Sequence, residues 1–256
     1  MKFLHNATII TAEKEAVGSI LIEEGKITDI LYKEESEYIH KVLEILKAKP
    51  EVMELEGKCV MAGGIDAHVH FREPGLTHKA DMSTESMAAA AGGVTYVIDM
   101  PNTSPATTTA ETLKSKIELA KGRTTGKIAF HIGATNDNAE DILRLITEGD
   151  EPTGITPNDI AGVKVFMGSS TGNMLVDDNS TLSKLFAVKN KPVLVHCEDE
   201  AIIITLCVLN AEKNAGAEKI LRVMNIGGVM IVNRHLMKVE MKFILTSKKT
   251  KSNTAK

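Results

Sequence analysis

The stretch GGIDAHVHFREPG, residues 63–75, places four polar side chains at every second position between two glycine turns. These side chains are Asp66, His68, His70 and Arg72. Alternate side chains of a β-strand share one face, so the spacing predicts two imidazoles, a carboxylate and a guanidinium on the same side of one strand. Burying each without a partner would cost roughly 2–7 kcal/mol. The alternative is a surface strand in which the His-x-His pattern occurs by chance. The flanking sequence has to distinguish between these two interpretations.

Composition sets broad limits on the class of protein. The 256 residues are 43% hydrophobic and 25% charged, with a net charge of −4, which indicates a folded core of one or two domains with no bias towards nucleic acid. No apolar run reaches the roughly 18 residues of a membrane span. Three widely spaced cysteines suggest a reducing compartment. We expect a cytoplasmic protein with a small-molecule substrate and neither a nucleic-acid nor a membrane partner; a homo-oligomer is left open.

Apolar strand segments alternate with helical segments from about residue 60 onwards. This alternation predicts an α/β fold with a parallel sheet, either a barrel or a doubly wound sheet. No GxGxxG motif opens a helix, so a dinucleotide-binding version is unsupported. The strand segments are GGIDAHVHF (63–71), GGVTYVIDM (92–100), KIAFHIGAT (127–135), GVKVFMG (162–168) and KPVLVHCED (191–199).

Polar residues fall at the carboxyl ends of these strands, where (β/α)8 barrels carry their reactive groups. Lys164 stands out because a lysine in an apolar strand is desolvated, which lowers the amine pKa and leaves a nucleophile. A neutral amine can add CO₂ to form a carbamate, whose oxygens can bridge two cations. The candidate residues at strand ends are His68, His70, Arg72, Asn102, Lys164 and His196.

The motifs GGIDAHVHFREPG, DMPNT, VKVFMGSSTGNMLVDD and VHCEDE resemble those of dihydroorotases, in the cyclic amidohydrolase group. The resemblance covers roughly residues 1–203. It implies a metal-dependent (β/α)8 barrel beside a small β-sandwich domain. It also implies the reversible hydrolysis of (S)-dihydroorotate to N-carbamoyl-L-aspartate in pyrimidine biosynthesis.

The resemblance also implies a role for each candidate residue. His68 and His70 match the paired ligands of one zinc ion, and His196 matches a ligand of a second. Lys164 matches the carboxylated lysine that bridges the two zinc ions of each subunit in many relatives. Arg72 and Asn102 match the residues that hold the substrate carboxylate.

Arg72 helps to choose among relatives, because a guanidinium fork suits a carboxylate. Allantoinases tend to carry Asn at this position, and hydantoinases an acidic residue. Both families, with dihydropyrimidinases, remain alternatives, as does a non-catalytic amidohydrolase-like partner subunit. Asp66 is left open between a support for the metal site and a strand end. We expect Asp99 and Cys197 to be structural, and His131 to be a core or loop histidine.

The resemblance stops after VHCEDE. Relatives continue with another zinc-binding histidine and a proton-carrying Asp, for which residues 204–256 show no counterpart. Residues 201–256 carry a net charge of +7, against −11 for the first 200. We therefore expect a chain truncated or frame-shifted after about residue 203. The predicted parts are an N-terminal β-sandwich portion (1–58), an incomplete (β/α)8 TIM-type barrel of about five βα units (59–203) and a basic tail (204–256).

The chain as written is predicted to hydrolyse dihydroorotate negligibly, since no residue matches the family's catalytic Asp. General acid–base catalysis typically raises the reaction rate by about 10²–10⁴-fold. An assay at high protein concentration with zinc and bicarbonate checks this expectation. Turnover near that of an intact relative, lost on Lys164→Ala, would contradict it.

Overall fold

Strands and helices alternate along most of the chain in a computed structural model of the protein. The structure describes residues 1–167 and 174–197, and the backbone of 229–232. The chain divides into two compact units, Met1–Gly64 and Ile65–Lys256. Within the described ranges, no helix is both long and apolar enough to cross a membrane.

The first unit is built on one mixed sheet of five strands. Its elements are β1 (Lys2–Ile10), β2 (Glu15–Glu23), β3 (Lys26–Tyr32), α1 (Tyr38–Lys47), β4 (Glu51–Glu54) and β5 (Cys59–Met61). The strand order is β3-β2-β1-β4, and β5 also pairs with β1. Strands β1 to β3 form an antiparallel meander, whereas β4 and β5 run parallel to β1. The sequence predicts an N-terminal β-sandwich portion; the structure confirms a β-sheet here and describes one sheet.

The second unit repeats a strand-then-helix pattern. Its helices are α2 (Met82–Ala91), α3 (Ala110–Ala120), α4 (Ala139–Thr147) and α5 (Asn179–Phe186), with a short 3₁₀ turn at Pro157–Asp159. Its strands are β6 (Gly64–Val69), β7 (Val94–Asp99), β8 (Lys127–Gly133), β9 (Ile160–Met167), β10 (Val193–Cys197) and β11 (Val229–Val232). They form one sheet in the order β11-β10-β9-β8-β7-β6.

Strands β7 to β10 pair in parallel, each with the next along the chain. Together with β6 they are the five strands of the partial barrel that the sequence predicts, and each predicted segment contains or overlaps its strand. β11 pairs antiparallel with β10, so it does not continue the parallel repeat. Apart from these four residues, the predicted tail 204–256 lies outside the described residues, and the predicted domain ranges stay a prediction.

Strand β9 of the second unit is apolar on both faces. Its Ile160, Val163 and Val165 are fully buried, because both faces of a parallel sheet are covered. A polar side chain in such a strand has no water to bind. Lys164 is therefore an exception within β9, and it is only 1% exposed.

Side-chain caps fix where the covering helices begin. Asp81 accepts hydrogen bonds from the first-turn N–H groups of α2, and Asp178 does the same for α5. Thr109 and Thr112 form a capping box at the start of α3. Such caps satisfy backbone donors that have no partner inside the helix.

Candidate active site

The end of β6 brings the two histidines of the quoted stretch side by side. The ring centroids of His68 and His70 are 5.3 Å apart, and their planes are inclined by 53°. Asp66 supports this strand end, because its Oδ1 accepts a hydrogen bond of 3.0 Å from the backbone N–H of His68. Both imidazoles are half-buried.

Burial and positive neighbours keep both imidazoles neutral. Burial lowers the pKa of His68 to about 4, with the positive charge of Lys164 as the next cause. Burial also lowers the pKa of His70 to about 4, followed by the charge of Arg72, while a side-chain hydrogen bond with Asn102 acts in the opposite direction. At neutral pH each ring therefore keeps a lone pair for a ligand.

Lys164 reaches this site from β9. Burial lowers the pKa of its amine to about 8. Its Nζ lies 4.8 Å from the centroid of the Phe166 ring. Among the described residues, this Nζ has no hydrogen-bond partner. An amine in this state is more nucleophilic than an exposed lysine at the same pH.

His196 lies near the end of β10, in register with Phe166 of β9. The centroids of these two rings are 6.0 Å apart, so Phe166 lies beside both His196 and the Lys164 amine. The charge that His196 would carry is among the causes that lower the pKa of His68. His68 of β6, Lys164 of β9 and His196 of β10 are thus close enough for the charges of the latter two to affect the pKa of His68.

Arg72 departs from the alternation that the sequence predicts. β6 ends at Val69, so alternation no longer dictates where the residues beyond it point. Arg72 adopts a left-handed backbone conformation with φ of 65°, while Phe71 is buried. The expectation that one strand holds all four polar groups is therefore wrong for His70 and Arg72, which lie beyond its end. The charge of Arg72 still contributes to the lowered pKa of His70.

Two ionic contacts, one partly exposed and one buried, are absent from the sequence prediction. Glu73 forms a two-point contact with Arg123, at 2.9 and 3.2 Å. Lys116 and Asp99 form a second ion pair at 2.7 Å, with both side chains fully buried. Fifty positions separate Glu73 from Arg123, so no short-range pattern joins them. The one available signal is the lysine at an inward position of α3.

Three further expectations concern His131, Cys197 and Asp99. His131 is a core histidine with 1% exposure, and its Nε2 lies 3.2 Å from the carbonyl oxygen of Ala67. Cys197 is half-buried, and burial raises the pKa of its thiol. Asp99 is structural, as expected, because its carboxylate accepts the Phe71 N–H at 2.8 Å.

The donor set around the two histidines is small. Among residues 1–167 and 174–197, no three His, Cys, Asp or Glu side chains are grouped so as to hold a metal ion. The groups that are brought together are neutral imidazoles and a buried amine. The two neutral imidazoles can each donate a lone pair to a metal ion, whereas the amine would add oxygen ligands only as a carbamate, since an ammonium group has no lone pair to donate.

Comparison with known proteins identifies relatives. A model described as the amidohydrolase family matches residues 59–255. A dihydroorotase of Methanosarcina acetivorans is 35% identical over 191 residues, which are 74% of this chain and 37% of that protein. Probable allantoinase 2 of Dictyostelium discoideum is 37% identical over 133 residues, 51% of this chain and 26% of that protein.

Solved structures show the same architecture. The L-hydantoinase (dihydropyrimidinase) of Arthrobacter aurescens matches with a TM-score of 0.66 and 24% identity, over 84% of this chain and 44% of that one. At this identity the match supports the fold alone. The chain spans less than two fifths of the length of the archaeal dihydroorotase reported above.

The lowered histidine pKa values predict how stability depends on pH in the metal-free chain. His68 and His70 have a pKa of about 4 when folded, against about 6.5 when unfolded. The unfolded chain therefore binds more protons between these values, and the free energy of unfolding should fall as pH falls from about 6.5 to about 4.

Urea unfolding with EDTA, at about pH 7 and about pH 5, measures this dependence. The loss of stability should be smaller in His68→Gln/His70→Gln than in the unmodified chain. His40→Gln, on the exposed side of α1, is the matched control and should keep the full loss. The same pH dependence in all three proteins would refute the assignment.

Proposed function

The chain belongs to the amidohydrolase family, and from this premise we propose that its site serves a cyclic amide hydrolase of dihydroorotase type. The dihydroorotase relatives, about 35% identical over three quarters of the chain, support this choice. The reaction proposed for the whole protein is the reversible opening of (S)-dihydroorotate to N-carbamoyl-L-aspartate, in the synthesis of pyrimidines.

The observation that carries the proposal is the position of Arg72. Its guanidinium lies close enough to His70 to lower the pKa of that imidazole, and Asn102 hydrogen-bonds the same imidazole. A guanidinium and an amide beside a pair of neutral histidines suit a ring that carries a carboxylate. Dihydroorotate has such a carboxylate next to its ring amide.

The residues present fit one part of a metal centre. His68 and His70 would hold a zinc ion through their neutral rings, and Lys164 with His196 would contribute to a second. Bound zinc would supply a Lewis acid that polarises the ring carbonyl and lowers the pKa of water. The supporting observation is the buried Lys164 amine, which lacks a hydrogen-bond partner within the described part of the chain.

Lys164 would join such a centre only after addition of CO₂. Its neutral Nζ attacks the carbon of CO₂, an N–C bond forms, one C=O electron pair moves to oxygen, and a proton leaves Nζ to water. The product is a carbamate with two oxygen ligands. The pKa of about 8 leaves a fraction of the amine neutral at physiological pH, which this step requires.

A ring without a carboxylate is the second candidate substrate. The allantoinase relative, 37% identical over about half of the chain, favours it. The two substrates differ in what they offer Arg72, because an uncharged ring would leave the guanidinium without an anionic partner. Substitution of Arg72 therefore separates the two proposals.

Zinc retention tests the metal part of the proposal. We expect the chain to bind zinc weakly, through His68 and His70, and to lose most of it in His68→Ala/His70→Ala. Metal analysis after dialysis provides the measurement. The matched control is His40→Ala/His78→Ala, which removes two exposed histidines and should leave the zinc content unchanged. Equal zinc in all three proteins would overturn the assignment.

Arg72→Ala tests the substrate part. We expect it to weaken binding of dihydroorotate by roughly 2–5 kcal/mol, because a charge-assisted contact is lost while its partner stays buried. Binding of dihydrouracil, the same ring without a carboxylate, should change little. Calorimetric titration of both ligands gives the comparison, with Arg144→Ala on the exposed side of α4 as the control. Equal losses for both ligands would remove Arg72 from the carboxylate site.

A further inference from the structure

A fully buried ion pair contacts the segments that follow β6 and β7. The Nζ of Lys116 is 2.7 Å from Oδ2 of Asp99, and neither side chain is exposed to solvent. Asp99 is the last residue of β7, and Lys116 belongs to α3. Burial lowers the pKa of Lys116, which the negative charge of Asp99 opposes.

Each member of the pair also holds a backbone group at the end of a strand. The other oxygen of Asp99 accepts a hydrogen bond of 2.8 Å from the N–H of Phe71. Lys116 donates a hydrogen bond of 2.8 Å to the carbonyl oxygen of Met100. Phe71 follows β6 and Met100 follows β7, so the pair connects the segments that leave two neighbouring strands.

Both segments carry residues that we assign to substrate binding. Phe71 lies between His70 and Arg72 in the sequence, and Asn102 is two positions beyond Met100. Arg72 has a left-handed backbone, which a residue with a side chain adopts only when its surroundings hold it there. The hydrogen bond from the preceding residue to Asp99 is one such restraint.

We propose that Asp99 and Lys116 are positioning residues that set the distance between Arg72 and Asn102 for a substrate carboxylate. This inference rests on the proposed function, because it takes that carboxylate as the shared ligand. Neither residue contacts the substrate. They act through Phe71 and Met100, whose backbone groups they fix relative to one another.

The chemistry of the pair suits this role better than apolar packing would. Hydrogen bonds to charged groups are shorter and stronger than neutral ones, so each charge restrains its backbone partner closely. The two charges also attract each other, so the restraint on Phe71 and the restraint on Met100 are coupled. An apolar pair of the same volume could fill the space but could not fix either backbone group.

The variant Asp99→Asn/Lys116→Met tests the proposal. It removes both charges and the link to Met100, while Asn still offers an oxygen to the Phe71 N–H. No unpaired charge is left buried, so the fold should survive. We expect the dissociation constant for dihydroorotate to rise about tenfold and that for dihydrouracil to stay within about twofold. Loss of folded protein alone would reduce the apparent binding of both ligands equally.

Two further variants separate the possible failures. Glu140→Gln/Lys184→Met removes an exposed ion pair of 2.8 Å and should leave both constants unchanged. Arg72→Ala reports on the proposed function itself. If Arg72→Ala selectively weakens the binding of dihydroorotate and Asp99→Asn/Lys116→Met does not, the positioning role is refuted and the proposed function stands. If the unmodified chain does not bind dihydroorotate, or Arg72→Ala has no selective effect, the function and this inference both fail.

Hydrogen exchange gives a readout that needs no ligand. In Asp99→Asn/Lys116→Met, the amides of Phe71, Met100 and Asn102 should lose protection together, because the charges that restrain both segments are gone, while those of β9 keep theirs. Unchanged protection at both segments would show that the pair does not hold them and would overturn the proposal. The Glu140→Gln/Lys184→Met variant again serves as the control.

Discussion

The buried ion pair of Asp99 and Lys116 is the interaction on which the ends of β6 and β7 both depend. Removing two charges from water costs several kcal/mol per ion by order of magnitude, so such a pair is weak grounds for added stability. Its hydrogen bonds to backbone groups indicate another role. They restrain the chain where the strand ladder stops and the candidate site begins.

A concentration of positive charge is the second constraint. Lys164 and Arg72 act on His68 and His70, respectively, and in each case the charge adds to the effect of burial. A site of this kind favours anions, whether a substrate carboxylate or a carbamate on Lys164 itself. Carbamate formation would replace a positive charge with a negative one, so it would relieve the repulsion that the unmodified amine exerts on a protonated His68.

The two constraints explain why the site lies where it does. Parallel strands end at one edge of the sheet, and the groups from β6, β7, β9 and β10 meet there. Strand β9 is buried along most of its length, so an unpaired polar side chain within it is costly. Lys164 is the exception within β9, and burial lowers the pKa of its amine to about 8.

The sequence by itself determined the α/β class, the five parallel strands and the candidate residues, because side-chain alternation, apolar runs and motif spacing are local properties. It also identified His68 and His70 as neighbours, since both lie at the end of one strand. The tertiary structure alone decided the conformation of Arg72, because alternation ends at Val69 and the chain beyond it is held by contacts to distant residues. Lys116 approaches Asp99 from another element, and no local pattern encodes a contact that exists only once α3 packs on the sheet.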